Sequence, residues 1–219
     1  MDESLLDLGC GPGHTALFFA PYVRRVVGLD VSQEMLGAAR IGARQRGAEG
    51  DWVAADAHRL PFRDRSFDLV TCRAAAHHFT ELEQSMVEAA RVLSRGGRLG
   101  IVDGMVPEDA TLDHFINELD RLHDPTTVRN HRPSEWGSLL ERTGLRVDSI
   151  RGRGLRAAEG RSLSDWIARS GGSSVVLDEA RRRLLEAPAA VRDYLKVMER
   201  DDDVWFDYAR VVIVARRVD

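Results

Sequence analysis

The sequence predicts an α/β protein with a Rossmann-like, doubly wound parallel sheet. Residues 4–20 pass from a short apolar run through three glycines into a run that suits a helix. A buried strand, a glycine turn and a helix start together bring backbone close to a nucleotide-like ligand. Further apolar runs alternate with helical patterns along the chain, which is typical of a parallel sheet covered on both faces.

The first turn also carries information about the charge of its ligand. Gly9, Gly11 and Gly13 remove Cβ atoms that would block a ligand, and they allow positive φ. Asp7, two residues before the first glycine, adds a carboxylate at the end of the strand. A carboxylate would repel phosphates, so a ligand with a cationic amine or a sulfonium is favoured.

The following elements are predicted from apolar spacing and helix caps. Strand two ends in Asp30, about 20 residues past the turn, where a carboxylate can accept both ribose hydroxyls. Ser32 caps the next helix, and strand three closes on Asp56. The predicted strands two to five are residues 25–30, 51–56, 67–72 and 99–103, with a Gly-Gly turn at 95–98 before the fifth.

The second half of the chain reads as mostly helical. An amphipathic helix covers 110–123, and Ser134 is expected to cap another helix at 135–143. Strand six begins at 145–150, and one long last strand is expected at 204–216. The helical segments predicted between these two strands are 162–169, 177–186 and 189–198.

Several of these features together resemble the class I S-adenosylmethionine (SAM) dependent methyltransferases of the methyltransferase type 11 group. They are the glycine turn with Asp7, the acids Asp30 and Asp56, and the segment from Leu60-Pro61-Phe62 to Ser66-Phe67-Asp68. Residues 124–129 and 134–136 are loosely like the ubiquinone and menaquinone C-methyltransferases. The resemblance implies seven strands in the order 3-2-1-4-5-7-6, with strand seven antiparallel and a helical insert between strands six and seven.

The resemblance implies SAM as cofactor and a set of residues that bind it. The glycine turn would hold the methionine part, Asp30 the ribose, and Asp56 with Ala57 the adenine, while Arg73 and Ala74 would lie near the methionine moiety. The cofactor-binding residues implied at matching positions are Asp7, Gly9, Cys10, Gly11, Gly13, Asp30, Val31, Asp56, Ala57, Arg73 and Ala74. We interpret Cys10 as a small packing residue of the turn and not as a nucleophile.

His77 and His78 follow strand four, and they are the candidate catalytic residues. A histidine at this edge of the sheet could act as general base on the acceptor. Alternatively, one ring packs and the other orders the loop. No Cys, His and carboxylate cluster has the spacing of metal ligands, so no metal site is predicted.

The function predicted from these residues is methyl transfer from SAM to an O, N or C nucleophile of a small-molecule acceptor. Two alternatives stay open. Gly11, Gly13 and Ala16 also fit the G-x-G-x-x-A fingerprint of an NAD-dependent oxidoreductase. Asp30 could bind the ribose of NAD equally well. The other alternative is a SAM-binding module without catalytic activity.

Composition and length limit the partners and the compartment. A net charge of -4 gives a nucleic-acid partner no general electrostatic support. The apolar runs are far shorter than the ~18 residues of a membrane span, and no signal peptide is recognisable. The two cysteines suggest no disulfide framework, so we expect a cytoplasmic protein of undetermined oligomeric state.

We expect a single domain over residues 1–219. Residues 4–104 would form the SAM-binding half and 105–219 the acceptor-side half, with 157–200 as a helical lid. The resembling family usually has a helical segment before the first strand. Because almost nothing precedes that strand here, either the natural start lies upstream of Met1, which we favour, or the cofactor is more exposed than is usual in the family.

Overall fold

The computed structural model describes residues 2–154 and 160–218 and contains two sheets. The strands are β1 (Ser4–Leu8), β2 (Arg25–Asp30), β3 (Asp51–Ala54), β4 (Phe67–Arg73), β5 (Leu93–Gly104), β6 (Leu145–Gly154), β7 (Arg161–Ser162), β8 (Met198–Arg200), β9 (Asp203–Phe206) and β10 (Ala209–Arg217). The helices are α1 (His14–Phe19), α2 (Gln33–Arg46), α3 (Leu82–Val92), α4 (Ala110–His123), α5 (Pro133–Arg142), α6 (Leu163–Arg169), α7 (Ser174–Leu185) and α8 (Ala189–Leu195). Two 3₁₀ helices cover Ala20–Tyr22 and Ala76–His78.

The large sheet confirms the predicted fold class. Its strand order is β3-β2-β1-β4-β5-β10-β6, in which β10 takes the place of the seventh strand and runs antiparallel. The pairs β1–β2, β1–β4, β2–β3 and β4–β5 are all parallel. The carboxyl ends of β1 to β5 therefore meet at one edge of the sheet.

The chain divides into two compact units. The first, which we call the sheet unit, comprises Met1–Asp103, Glu135–Arg151 and Val212–Asp219. Its central strand β1 is buried along its whole length, since β2 and β4 pair with it on either side. This burial explains why the strand is apolar at Leu5, Leu6 and Leu8, with the buried Asp7 as the one charged residue in it.

The second unit, called the helical unit, comprises Gly104–Ser134 and Gly152–Val211. Helices α4, α6, α7 and α8 supply most of its core, together with the three-stranded sheet β7-β9-β8. Asp109 caps α4 by accepting from the N–H groups of Thr111 and Leu112, and the helix ends at the predicted residue before Asp124. Across the described residues, no helix has the length and apolar character required to cross a membrane.

Three predicted boundaries in the sheet and its helices differ from the structure. β3 ends at Ala54, so Asp56 lies in the following turn, where its carboxylate accepts from the His58 N–H and draws the chain out of the ladder. The expected Gly-Gly turn lies inside β5 as a bulge, because the pairing with β4 jumps from Leu93 to Arg98. Ser134 is not an N-cap, since α5 begins at Pro133, a residue suited to a first helical position.

The predicted long last strand is wrong, because it is two strands in two different sheets. β9 ends at Phe206, and Asp207 leaves the ladder to donate its N–H to the Leu195 carbonyl and to pair its carboxylate with Lys196. The predicted helix 189–198 likewise stops at Leu195. Met198–Arg200 instead forms a hairpin with β9 through Asp201 and Asp202, both at positive φ as a tight hairpin turn requires.

The expected lid, 157–200, is helical in its described part, with α6, α7 and α8 at 163–195. Its first residues, 157–159, lie outside the described residues. α7 begins at Ser174, three residues earlier than predicted, because Ser173 accepts a hydrogen bond from Val176 and caps it. The small sheet β7-β9-β8 was not predicted, since its short strands carry no alternating pattern long enough to recognise.

Candidate functional site

The turn between β1 and α1 forms the floor of the candidate site. Its three glycines have φ values of 60° at Gly9, 51° at Gly11 and 80° at Gly13. A Cβ at Gly9 would lie 2.5 Å from Cβ of Ala75, and one at Gly13 would lie 2.7 Å from the Trp52 ring. Neighbouring side chains therefore close the turn at both ends.

Gly11 differs from the other two glycines because a Cβ there would meet nothing within 4 Å. Its N–H points to the sheet and donates to Oδ2 of Asp30 at 2.8 Å. The middle of the turn thus offers bare backbone to open space beside a carboxylate. This arrangement fits a nucleoside whose ribose hydroxyls reach Asp30 while the rest of the ligand crosses the turn.

Asp7 lies beneath the turn and is 1% exposed. Its Oδ1 accepts from the Thr71 hydroxyl at 2.7 Å, and its Oδ2 accepts from the Ala16 N–H at 3.1 Å. Burial raises the pKa of Asp7 to about 6, while the bonds from Thr71 and Ala16 oppose that rise. The carboxylate joins β1, β4 and α1, and it places a negative charge under the turn.

Asp30 and Val31 lie at the end of β2. The Oδ1 of Asp30 accepts from the Ser32 N–H at 2.9 Å, so the two oxygens of this carboxylate bind the turn and the start of α2. Each carboxylate oxygen can accept more than one hydrogen bond, which leaves capacity for hydroxyl donors. Val31 is 73% exposed and presents an apolar surface next to Asp30.

Asp56 and Ala57 follow β3. Asp56 has a side chain that is 60% exposed, and its Oδ1 accepts from the His58 N–H at 2.9 Å. This backbone hydrogen bond is the largest cause that holds the pKa of Asp56 below its usual value. Ala57 is buried, whereas Asp56 beside it is exposed.

Cys10 is a buried residue of the turn, as predicted, and its N–H donates to the Leu29 carbonyl at 3.0 Å. Burial, followed by the charges of Asp7 and Asp30, raises the pKa of the Cys10 thiol. Since the thiolate is the reactive form, this environment suits packing and not nucleophilic attack.

Arg73 and Ala74 form the turn after β4. The Arg73 Nε–H donates to Oγ1 of Thr15 at 2.8 Å, which ties β4 to α1. Ala74 has φ of 52°, a strained value for a residue with a side chain, and its N–H donates to the Val102 carbonyl at 2.8 Å. This turn brings Ala75 against Gly9.

His77 is held by Asp103, which lies on β5 and is 1% exposed. The Nδ1 of His77 lies 2.6 Å from Oδ1 of Asp103, and the His77 N–H donates to Oδ2 at 3.2 Å. The His78 ring lies against the His77 ring, with their centroids 3.9 Å apart. The structure therefore builds a histidine–aspartate pair in a segment whose Ala75 and Phe79 approach Gly9.

Four residues of this site were missed by the sequence reasoning. Thr71 holds Asp7, Trp52 and Ala75 close the turn, and Thr15 holds Arg73. Threonine, alanine and tryptophan have no motif of their own here, so only the folded structure reveals them. Within residues 2–154 and 160–218, no group of three His, Cys, Asp or Glu side chains could hold a metal ion.

A family model described as a methyltransferase domain matches residues 6–101 of this chain. The methyltransferase YcgJ of Bacillus subtilis, itself uncharacterised, is 41% identical over 171 residues, which are 78% of this chain and 66% of that protein. The demethylmenaquinone methyltransferase of Thermotoga maritima is 38% identical over 108 residues, 48% of this chain and 45% of that protein.

Solved structures are similar over the whole chain. The crystal structure of BH2331 from Bacillus halodurans, which its name assigns to the methyltransferases, has a TM-score of 0.93 at 30% identity. The match covers all of this chain and 94% of the BH2331 chain. The structure of YcgJ gives a TM-score of 0.89 at 33% identity, with 93% of its length covered. The chain therefore belongs to the class I SAM-dependent methyltransferases, it is a methyltransferase enzyme, and SAM is its cofactor.

Proposed function

We propose that the protein transfers the methyl group of SAM to an O, N or C nucleophile of a small-molecule acceptor, with His77 receiving the acceptor's proton. The observation that carries this assignment is the His77–Asp103 pair, which follows β4 and approaches the glycine turn through Ala75. The carboxyl edge of the strands is where ligands bind in open α/β sheets.

The cofactor residues have separate tasks in this proposal. The backbone of Gly9 to Gly13, with Cys10, holds the methionine part from below, and Arg73 with Ala74 bounds it from β4. Asp30 accepts the ribose hydroxyls. Val31, Asp56 and Ala57 hold the adenine, Val31 by apolar contact and the other two by polar groups. Asp7 orders the turn through Ala16 and Thr71, and its charge favours a cationic ligand.

Bound SAM supplies a methyl group on a sulfonium, which departs as S-adenosylhomocysteine when the new bond to the acceptor forms. Because this leaving group is already good, most of the acceleration can come from proximity and alignment. The chain's own chemical contribution is proton removal. Asp103 keeps the His77 proton on Nδ1, so Nε2 is the atom that accepts a proton from a hydroxyl or an activated carbon.

The first experiment is isothermal titration of SAM and S-adenosylhomocysteine, with NAD as the competing cofactor. We expect micromolar binding of both adenosyl ligands and none of NAD. The Asp30→Ala variant should lose this affinity by at least about tenfold, since charge-assisted hydrogen bonds are the stronger kind.

Asp51→Ala is the matched control, because Asp51 is an exposed aspartate at the opposite end of a strand, where it pairs with Arg25. Its affinity for SAM should equal that of the wild type. Binding of NAD in place of SAM would favour the oxidoreductase alternative. SAM binding without turnover on a broad panel of O, N and C acceptors would favour a module without catalytic activity.

A further inference from the structure

His58 binds the side chain of Asp56, one of the residues proposed to hold the adenine. Its Nδ1 lies 2.5 Å from Oδ1 of Asp56, and its N–H donates to the same oxygen at 2.9 Å. Both donors therefore approach one oxygen of the carboxylate. Among the described residues, none donates to the other oxygen, Oδ2. Because the Asp56 side chain is 60% exposed, this second oxygen is available to a ligand.

The other ring nitrogen of His58 fixes the protonation state of the imidazole. The Glu81 N–H donates to Nε2 of His58 at 3.1 Å. A backbone N–H can only donate, so Nε2 carries no proton and the single proton of the neutral ring lies on Nδ1. The ring thus donates to Asp56 and accepts from Glu81 at the same time.

The turn after β3 is fixed to α3 at a second point, two residues beyond His58. The Leu60 N–H donates to Oε2 of Glu88 at 2.7 Å, and Arg91 donates to the Leu60 carbonyl at 3.0 Å. The hydrogen bond from Arg91 is the largest cause that lowers the pKa of Glu88, so this carboxylate stays ionised as an acceptor. The backbone on both sides of the imidazole is therefore held in place by the same helix.

An exposed aspartate side chain loses rotational freedom when a ligand holds it, and this loss weakens binding. The two hydrogen bonds from His58 already restrict the rotation of Asp56 before a ligand binds. A carboxylate held in this way is a preorganised acceptor for a donor that meets Oδ2. Adenine carries such a donor, its exocyclic amine.

We propose that His58 is a positioning residue for adenine recognition, which holds the Asp56 carboxylate so that Oδ2 accepts from the exocyclic amine of SAM. The inference rests on the proposed function, in which Asp56 contacts the adenine. It deepens that function by naming a residue that sets the selectivity of the site for this amine.

The test compares S-adenosylhomocysteine with its deamino analogue, in which a hydrogen replaces the exocyclic amine. Isothermal titration into the full chain measures both dissociation constants. The wild type should bind the compound with the amine at least about tenfold more tightly, in line with a hydrogen bond to a charged group. His58→Ala should weaken binding of that compound about fivefold and change binding of the deamino analogue by less than about twofold.

His58→Asn is the conservative variant, because its side-chain amide can still donate to Asp56 although it offers Glu81 no acceptor at the position of Nε2. It should keep most of the preference for the amine that His58→Ala loses. Gln84→Ala is the matched control. Gln84 is exposed and donates to the His58 carbonyl at 3.4 Å, so this variant loosens the same turn and leaves the imidazole unchanged. It should bind both compounds like the wild type.

A double-mutant cycle shows whether His58 acts through Asp56. Asp56→Ala should lose the preference for the amine by itself. Adding His58→Ala to it should then change neither dissociation constant further, because residues that act as one unit are not additive.

The proposal is overturned if the wild type binds both compounds equally, if His58→Ala keeps the wild-type preference, or if the losses from His58→Ala and Asp56→Ala add up. Circular dichroism and the unfolding midpoint show whether His58→Ala folds. If it does not, His58→Gln takes its place, since its longer amide can still accept from Glu81, and an unchanged preference in that variant also overturns the proposal. Failure of the proposed function is a different result, because the wild type would then bind neither compound, and this inference would fall with it.

Discussion

At the scale of single residues, the pairing of His77 with Asp103 decides which ring nitrogen is available for chemistry. Asp103 is buried and accepts from the His77 backbone as well as approaching its Nδ1. An ionised carboxylate can only accept hydrogen bonds, so neutral His77 carries its proton on Nδ1. Nε2 is then the basic atom, and Asp103 is a positioning residue for it.

We therefore expect His77→Asn to lower kcat on a hydroxyl acceptor by roughly 10²–10⁴, the usual contribution of a general base. The asparagine amide can still donate towards Asp103, but the variant lacks Nε2. The dissociation constant for SAM should not change. Steady-state kinetics and isothermal titration measure the two quantities.

An acceptor that is already ionised at the assay pH is the internal control, because it needs no base. His77→Asn should lose much less activity on it than on the hydroxyl acceptor. An equal loss on both acceptors would contradict the role of a base and indicate that His77 only shapes the loop.

The sequence could predict the two histidines as a pair but not which of them acts. Asp103 lies 26 residues after His77, and only the parallel pairing of β4 with β5 brings the two together. The same holds for Asp7 and Thr71, which lie 64 residues apart and share a register position in β1 and β4. Contacts across a sheet have no signature in the spacing of residues along the chain.

At the scale of an element, the β1–α1 turn uses its glycines for different physical reasons. All three have positive φ, but Gly9 and Gly13 are also closely covered by Ala75 and Trp52, whereas Gly11 faces open space. A side chain at Gly9 would disturb packing. A side chain at Gly11 would instead enter the space that we assign to the cofactor.

This difference predicts that an alanine at Gly11 mainly lowers SAM affinity, whereas an alanine at Gly9 mainly lowers stability. Gly11→Ala should destabilise the fold by only about 1 kcal/mol, the cost of positive φ, and yet lose most of its SAM affinity. Gly9→Ala should destabilise it more, because its Cβ would lie 2.5 Å from that of Ala75. Urea unfolding without ligand and SAM titration separate the two effects.

Ala75→Gly combined with Gly9→Ala is the matched control, since it removes the clash and keeps the positive φ. The double variant should recover part of the stability lost in Gly9→Ala. A Gly11→Ala variant that binds SAM like the wild type would show that the cofactor does not cross the open middle of the turn.

Elements that carry long buried runs or clear caps were predictable, and those shaped by local polar contacts were not. α4 follows its apolar spacing and its Asp109 cap, so its bounds, Ala110–His123, agree with the prediction. The last strand instead breaks at Asp207, because Lys196 and the Leu195 carbonyl bind that residue. In the sequence, an aspartate between apolar residues has the same pattern whether the strand continues through it or ends there.

At the scale of the whole molecule, the two units differ in how much of each is matched by the family model. The family match at 6–101 lies within the sheet unit, which contains every residue proposed to bind SAM. The helical unit lies outside this match. The cofactor could therefore be predicted from motifs, while the acceptor could not.

The buried Asp7 makes the stability of the protein depend on pH. Its pKa is about 6 in the folded state, whereas its ordinary value, which applies to the unfolded state, is 3.8. Between these values the folded state binds a proton that the unfolded state does not, so stability falls as pH rises from 4 to 6. Well below pH 4 and well above pH 6, Asp7 adds no further change.

Asp7→Asn isolates this contribution, because the other titrating groups are shared by the two proteins. The unfolding free energy of the wild type, minus that of Asp7→Asn, should decrease by about 2.4 kcal/mol between pH 4 and pH 7, at about 1.4 kcal/mol per pKa unit, because part of the change falls below pH 4. Urea unfolding at a series of pH values measures it. A difference that stays flat would mean that the folded state does not raise the pKa of Asp7. The buried Asp7 carboxylate would then not destabilise the fold. Burial would not explain why its two oxygens accept hydrogen bonds from Thr71 and Ala16.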